Sequence, residues 1–238
     1  MKLENQVIAI TGASRGIGRG LAIGLAKEGA GVALCARNLK ELKEVEREIK
    51  GNGGEVFIGR CDIAKVADVK RWVSGAVKHF GQIDVLINNA GLLGAREELA
   101  DYPEALWKKV MDVNVNGSFY VTKSVLRQSM LKKGSGIVIN VSSGVGRVGK
   151  PKWGPYVASK FAMEGMTQML AAELKSQGIR VFAINPEPTR SIMRKEAYPQ
   201  EDPNTLKTPE TLVPIFKRLI LEMSMDDSGK SFSYSELV

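Results

Sequence analysis

Cysteine and histidine are nearly missing from this chain: two of the first, Cys35 and Cys61, and one of the second, His79, among 238 residues. Neither cysteine belongs to a CxxC pair or has a histidine close by in sequence, so no metal site is expected. Both stand among apolar or small residues in strand-like settings and read as buried, reduced thiols. His79, in KHFGQID at a helix end, reads as a surface residue, which argues against Ser-His-Asp hydrolysis. No apolar run reaches bilayer-spanning length, and the first ten residues, MKLENQVIAI, lack a secretory apolar core, so a cytoplasmic location with no membrane partner is expected. Aromatic residues amount to 6%, and none interleave with a basic stripe. The net charge of +8 is instead spread among acidic residues, as in LKELKEVEREIK (39–50), so nucleic acid is not an expected partner.

What the chain does have is an average globular composition, 44% hydrophobic and 25% charged, with no linker rich in Pro, Gly or Ser to divide it. Apolar, β-rich runs at 6–11, 31–36, 55–59, 83–88, 136–141 and 179–184 alternate with helical spacing at 16–28, 39–50, 65–79, 105–132 and 157–177. Continuous apolar strands call for a parallel sheet covered on both faces, and the βα alternation for one α/β domain over 1–238, a Rossmann-type doubly wound sheet flanked by helices. Residues 186–210 hold much of the proline and follow the sixth strand directly. Loops beyond the carboxyl ends of such strands form the ligand crevice, so this segment reads as a mobile substrate lid.

The first strand runs into TGASRGIG (11–18), and a helix follows. Gly12, Gly16 and Gly18 allow a tight turn and close approach of a pyrophosphate, whose charge the helix N-terminus receives. The spacing is GxxxGxG, and with NNAG at 88–91 it resembles the short-chain dehydrogenase/reductase family, the 3-oxoacyl-[acyl-carrier-protein] reductase-like branch most widely. The resemblance covers about residues 4 to 235. It implies that Ser14, Arg15, Ile17 and the three glycines face the cofactor, that Asp62 and Ile63 hold the adenine, and that Asn89, Ala90 and Gly91 lie beneath the adenosine ribose. The cofactor choice can be argued from charge. A carboxylate at the end of the second strand binds a ribose 2′-hydroxyl but repels a 2′-phosphate. Here Ala36 stands at that place, followed by Arg37, and Arg15 should project to the same spot, which favours NADP.

YxxxK at Tyr156 and Lys160 puts a phenol and an ammonium on one helix face. A free tyrosine has a pKa near 10, and a neighbouring ammonium favours the phenolate. Tyr156 is therefore the expected general acid in reduction and base in oxidation, with Lys160 lowering its pKa and bonding the nicotinamide ribose. The resemblance further implies Ser143 as the serine that polarises the substrate oxygen, with Ser142 as second choice, and Asn114 as the asparagine of a proton relay, with Asn116 as its decoy. The expected activity is hydride transfer between the nicotinamide and a small-molecule carbonyl or alcohol, in a homo-oligomer, dimer or tetramer.

The chain departs from the family after the sixth strand. Where Asn-Pro-Gly is usual it has Asn185, Pro186 and Glu187, followed by Thr189 and Ser191 as groups for the nicotinamide carboxamide. Glu187 could strain the backbone if its φ is positive, could stand beside the ring and favour the oxidised cofactor, or could point into solvent. The C-terminal segment 226–238 keeps a strand but lacks the glycines of the family's tail. Trp153, Leu92, Leu93 and Met193 would flank a partly apolar substrate. Two other readings stay open: an idle dinucleotide sensor or scaffold in which Glu187 has spoiled the pocket, and recognition of an anionic acyl carrier through Lys132 and Lys133.

Overall fold

The computed structural model describes residues 3–238. Seven parallel strands form one sheet: β1 (Val7–Thr11), β2 (Gly31–Ala36), β3 (Val56–Arg60), β4 (Val85–Asn88), β5 (Gly136–Val141), β6 (Ile179–Asn185) and β7 (Ser231–Ser233). Their order is β3-β2-β1-β4-β5-β6-β7, so the winding reverses between β1 and β4. The sheet is doubly wound and Rossmann-like, and a crevice opens at the carboxyl ends of the strands on either side of that reversal.

The strands are apolar on both faces because helices cover both. Ile8 and Ile10 face the layer of α1 (Gly16–Lys27), α2 (Leu39–Gly51) and α9 (Val213–Leu221), whereas Val7 and Ala9 face α3 (Val66–Phe80), α5 (Ser118–Val125) and α7 (Gly154–Leu174). Phe182 and Phe216 are fully enclosed on the first side and Leu86 on the second. Each such side chain contributes about 1.5–3 kcal/mol of burial. Local signals set the boundaries: Asn38 caps α2 by accepting from the amides of Lys40 and Glu41 at 3.1 and 3.3 Å, and Pro155 occupies the first turn of α7.

The helical segment expected at 105–132 is a run from α4 (Glu104–Met111) through α5 to α6 (Leu131–Lys133), with π-helical turns at Asp112–Gly117 and Leu126–Met130. The helix expected at 157–177 begins three residues earlier, and its last residues form a 3₁₀ turn at Lys175–Gln177. In the expected lid, 186–210, the structure forms the short helix α8 (Ile192–Ala197) and 3₁₀ turns. Helix α9 had no counterpart among the expected elements; its Val213, Ile215, Phe216, Leu219 and Ile220 are buried. Among the described residues no helix is long and apolar enough to cross a membrane, and no acidic, cysteine or histidine cluster could hold a metal ion.

Candidate active site

A cleft of about 600 Å³ lies along the carboxyl ends of the strands. Its floor is the glycine turn between β1 and α1. Gly12 sits at φ +67°, and a Cβ there would stand 2.9 Å from the Cα of Ala90; at Gly18 a Cβ would meet the Gly12 carbonyl oxygen at 2.4 Å. Only bare backbone fits. The side-chain amide of Asn89 donates to the carbonyls of Thr11 and Gly12 at 2.9 and 3.2 Å, while the Thr11 hydroxyl accepts from the amides of Asn89 and Ala90, both at 3.0 Å. The end of β4 is thus stapled to the turn, and α1 points its N-terminus into the cleft.

Gly12, Ser14, Arg15, Gly16 and Ile17 line this floor, with Arg37, Asp62 and Ile63 along one wall and Asn89, Ala90 and Gly91 along the other. Gly18 lies behind the turn, where its role is clearance. Arg15 and Arg37 are exposed. Asp62 accepts from the Ala64 amide at 3.2 Å through one oxygen. Glu41, Asn38, Cys35 and Cys61 also line the cleft, and the sequence had not marked them as site residues. Glu41 is a carboxylate in the first turn of α2 that lines the same cleft as the two arginines, a place the charge argument at the end of β2 did not cover. Both cysteines are free and buried; burial and the neighbouring Cys61 push the Cys35 thiol well above its ordinary pKa, so it stays protonated.

At the other end, Tyr156 and Lys160 reach the cleft from α7, both under 10% exposed. Burial raises the Tyr156 phenol to about 12, partly offset by its hydrogen bond with Ser143. Burial also brings the Lys160 ammonium down to about 8, against a rise from nearby Glu164. The expected depression of the tyrosine by the lysine is not present. The ammonium lies 5.4 Å from the Tyr156 ring centroid and donates at 2.7 Å to the carbonyl of Val141, the last residue of β5, which holds it in this arrangement. Of the two serines, Ser142 lines the cleft and donates to Glu164, whereas Ser143 lies outside the lining and hydrogen-bonds Tyr156. Asn114 is buried in the first π-helical turn, accepting from the Leu92 amide at 2.8 Å and donating to the Leu92 carbonyl and the Ser159 hydroxyl. Asn116 is exposed and donates to Asp112.

The loop after β6 contributes Pro186 and Ser191 to the cleft, and Ser191 also caps α8 by accepting from the Arg194 amide at 3.1 Å. Thr189 does not line it: its hydroxyl is spent on the carbonyls of Pro186 and Glu187, and its backbone bridges Lys207. Glu187 has φ +56°, the strained alternative. Its carboxylate accepts from the Ser235 hydroxyl at 2.6 Å, so the reading that placed it beside the nicotinamide is corrected: it ties the loop to the C-terminal turn instead. Trp153, Leu93, Tyr156 and Ala197 form a small apolar cluster with Met193 packed against it, while Leu92 lines the cleft but packs against the core on the α3 side. Lys132 and Lys133 belong to α6, ahead of β5, with Lys133 paired to Asp84 at the start of β4. They sit at the edge of the sheet opposite the cleft, which removes the carrier-docking reading built on them.

A sequence profile for the family described as short chain dehydrogenase matches residues 6–202. The chain is 38% identical, over 97% of its length and 92% of the relative, to the uncharacterized oxidoreductase YciK of Escherichia coli K12. It is 42% identical to the 3-oxoacyl-[acyl-carrier-protein] reductase FabG of Staphylococcus epidermidis, over 76% of this chain and 74% of that protein. Among solved structures it is similar to a short chain dehydrogenase from Shigella flexneri complexed with NADP, with a TM-score of 0.91, 37% identity and 97% of each chain covered.

Proposed function

The chain belongs to the short-chain dehydrogenase/reductase family, and from that premise we propose that it is an NADP(H)-dependent oxidoreductase acting on a carbonyl or secondary alcohol. The observation that carries the reading is that Tyr156, hydrogen-bonded to Ser143, and Lys160 stand at one end of a cleft whose other end is a glycine turn where a Cβ at Gly12 or Gly18 would collide with backbone. The glycine cradle fits a dinucleotide: Gly12, Ser14, Gly16 and Ile17 would hold its pyrophosphate, Asp62 and Ile63 its adenine, and Asn89, Ala90 and Gly91 its ribose. Arg15 and Arg37 would take a 2′-phosphate as charge-assisted partners. The Shigella relative's complex with NADP supports that choice.

When bound, the nicotinamide supplies or takes up the hydride. The protein's own work is positioning and proton transfer. Tyr156, protonated at neutral pH, gives its proton to the carbonyl oxygen during reduction and takes one back in oxidation. Ser143 donates to the same oxygen and polarises it. Lys160 brings a positive charge to the buried face and would bond the nicotinamide ribose. Asn114 is a positioning residue: gripping both backbone groups of Leu92, it fixes the 91–93 segment that walls the site, beside any relay water. Pro186 and Ser191 would border the carboxamide, while Thr189, outside the cleft lining, braces the loop through the carbonyls of Pro186 and Glu187.

We further read the chain as one domain, with 186–210 as the substrate lid, working in the cytoplasm as a homo-oligomer. Phe119, Phe161 and Met169, 45–49% exposed on α5 and α7, offer apolar surface for the assembly. The test combines NADPH and NADH titrations on wild type and Arg37→Ala with turnover on a panel of ketones and aldehydes. Arg37→Ala should weaken NADPH at least about tenfold and leave NADH nearly unchanged, as loss of a charge-assisted phosphate contact does, and Tyr156→Phe should abolish turnover while cofactor binding persists. Full turnover by Tyr156→Phe would overturn the mechanism.

A further inference from the structure

Against Tyr156, just outside the residues that line the cleft, stand two aromatic rings with cations around them. The Trp153 ring lies 5.9 Å from that of Tyr156 and 5.8 Å from that of Tyr198, the residue that ends α8. The Lys150 ammonium stands 4.7 and 4.8 Å from the Trp153 and Tyr198 centroids, and the Arg96 guanidinium carbon 5.7 and 5.8 Å. Each cation is thus nearly equidistant from both rings, which places both on the plane that bisects the pair. A third, Arg194, stacks on Tyr198 at 3.8 Å, but its charge is taken by Glu201. Lys152, next in line, pairs with Glu98.

Arg96 and Lys150 differ from these neighbours. Their hydrogen bonds go to neutral oxygens, the Ala197 carbonyl for Arg96 at 2.7 Å and the Tyr198 hydroxyl for Lys150. Two like charges gathered around one ring pair repel each other, and the rings hold them in place without neutralising them. The buried indole N–H of Trp153 also lacks an acceptor among the described residues, although Trp153 is only 7% exposed. Such a donor costs stability unless something accepts from it. Leu93 and Ala197 pack with Trp153 and Tyr156 in one apolar cluster, with Met193 against it. Glu196, on the same helix two residues before Tyr198, lines the cleft.

We infer that Arg96, Lys150 and Trp153 form an oxyanion subsite, and that the substrate carries a carboxylate or phosphate joined to its carbonyl by an apolar spacer that lies along Trp153. The guanidinium suits a two-oxygen acceptor, and the aromatic corner suits the spacer. This rests on the reductase reading, since it assigns the carbonyl end to Tyr156.

The test uses three aldehydes of one shape with NADPH: 4-formylbenzoate, its neutral methyl ester and 4-formylphenyl phosphate. Wild type should favour an anionic probe over the ester. Arg96→Gln with Lys150→Gln should lower kcat/KM for that probe at least about tenfold, through KM, and leave the ester within about twofold. The better of the two anions identifies the oxyanion. If the double variant does not fold by circular dichroism, Lys150→Gln alone, an exposed position, takes its place. An unchanged ratio of anion to ester in the folded variant would overturn the subsite. Calorimetric titration of 4-(hydroxymethyl)benzoate into the NADP⁺ forms of wild type and variant reads the subsite without turnover. Weaker binding in the variant would support it even if Tyr156→Phe proved fully active and the reductase mechanism fell; equal binding would count against the subsite alone.

Discussion

Burial sets the protonation of the two groups that α7 turns toward the cleft, and it moves them in opposite directions. The phenol of Tyr156, near 12, is a secure proton store at neutral pH, while the ammonium of Lys160, near 8, is held at a cost. A fall from 10.5 to about 8 corresponds to about 3 kcal/mol between the protonation states. Because the folded pKa lies below the unfolded one, that cost is present in full at pH 7 and disappears as pH rises from 8 toward 10.5, where the folded state has already released the proton the unfolded chain still binds. Tyr156 acts in the reverse sense, so stability falls between about 10 and 12. Lys160→Met should therefore raise the thermal midpoint at pH 7 by a few degrees, with the gain shrinking by pH 9.5, while turnover is lost; differential scanning calorimetry across pH checks it. In the wild type, reductive kcat/KM should decline above about pH 8 as the lysine charge is lost. YxxxK was legible as a pair on one face, but its electrostatics were not, because the competitor for the ammonium is a strand carbonyl that no side-chain pattern announces. Glu187 shows the same limit: its departure was visible in sequence, whereas its partner Ser235, 48 residues on, is set by the tertiary structure.

At the level of elements, the turn between β1 and α1 shows how three glycines do different work. Gly12 and Gly16 supply positive φ, whereas Gly18 is helical and matters because the Gly12 carbonyl and the Asn89 amide pass within 2.4 and 2.5 Å of where its Cβ would be. Both obstacles belong to the stapled backbone and its amide, so neither can yield cheaply. Gly18→Ala should push the turn out of place, weaken NADPH binding at least about tenfold and cost about 1–3 kcal/mol in urea unfolding, the usual range for overpacking; native affinity in this variant would show that the turn adapts. The glycine spacing announced this element clearly. The helical run from Glu104 to Lys133 was legible in extent but not in its two wide turns, the first of which turns Asn114 inward and leaves Asn116 outside. Helix α9 escaped notice because it follows a proline-rich loop and is short, with nine residues. The loop between them gave its ligand-side location through the topology rule, but its internal ties, such as the Arg190 amide to the Lys207 carbonyl at 2.9 Å, carry no sequence signature.

On the scale of the whole molecule, the alternation of apolar strands with helical spacing was enough to give the doubly wound sheet, and the carboxyl-end rule placed the cleft. The rule also decides against Lys132 and Lys133, whose charge is real but lies at the wrong edge. The far edge has a purpose of its own. There the buried carboxylate of Asp84 accepts from the Val7 amide at 2.8 Å, from the Gln82 amide at 3.0 Å, and from Lys133, where β1 meets β4. Asp84→Ala should cost about 2–3 kcal/mol, the range for a hydrogen bond to a charged group. That junction joins residues 77 apart in the chain, in the middle of the sheet, so the pair cannot form until a long loop has closed. The carboxylate is then a clasp for a pairing that must close a long loop, and stopped-flow refolding of Asp84→Ala should show the loss mainly as slower folding and hardly as faster unfolding. A loss confined to the unfolding limb would place the clasp after the rate-limiting step. The order in which this enzyme assembles would then be governed at the end of the sheet that never meets its substrate.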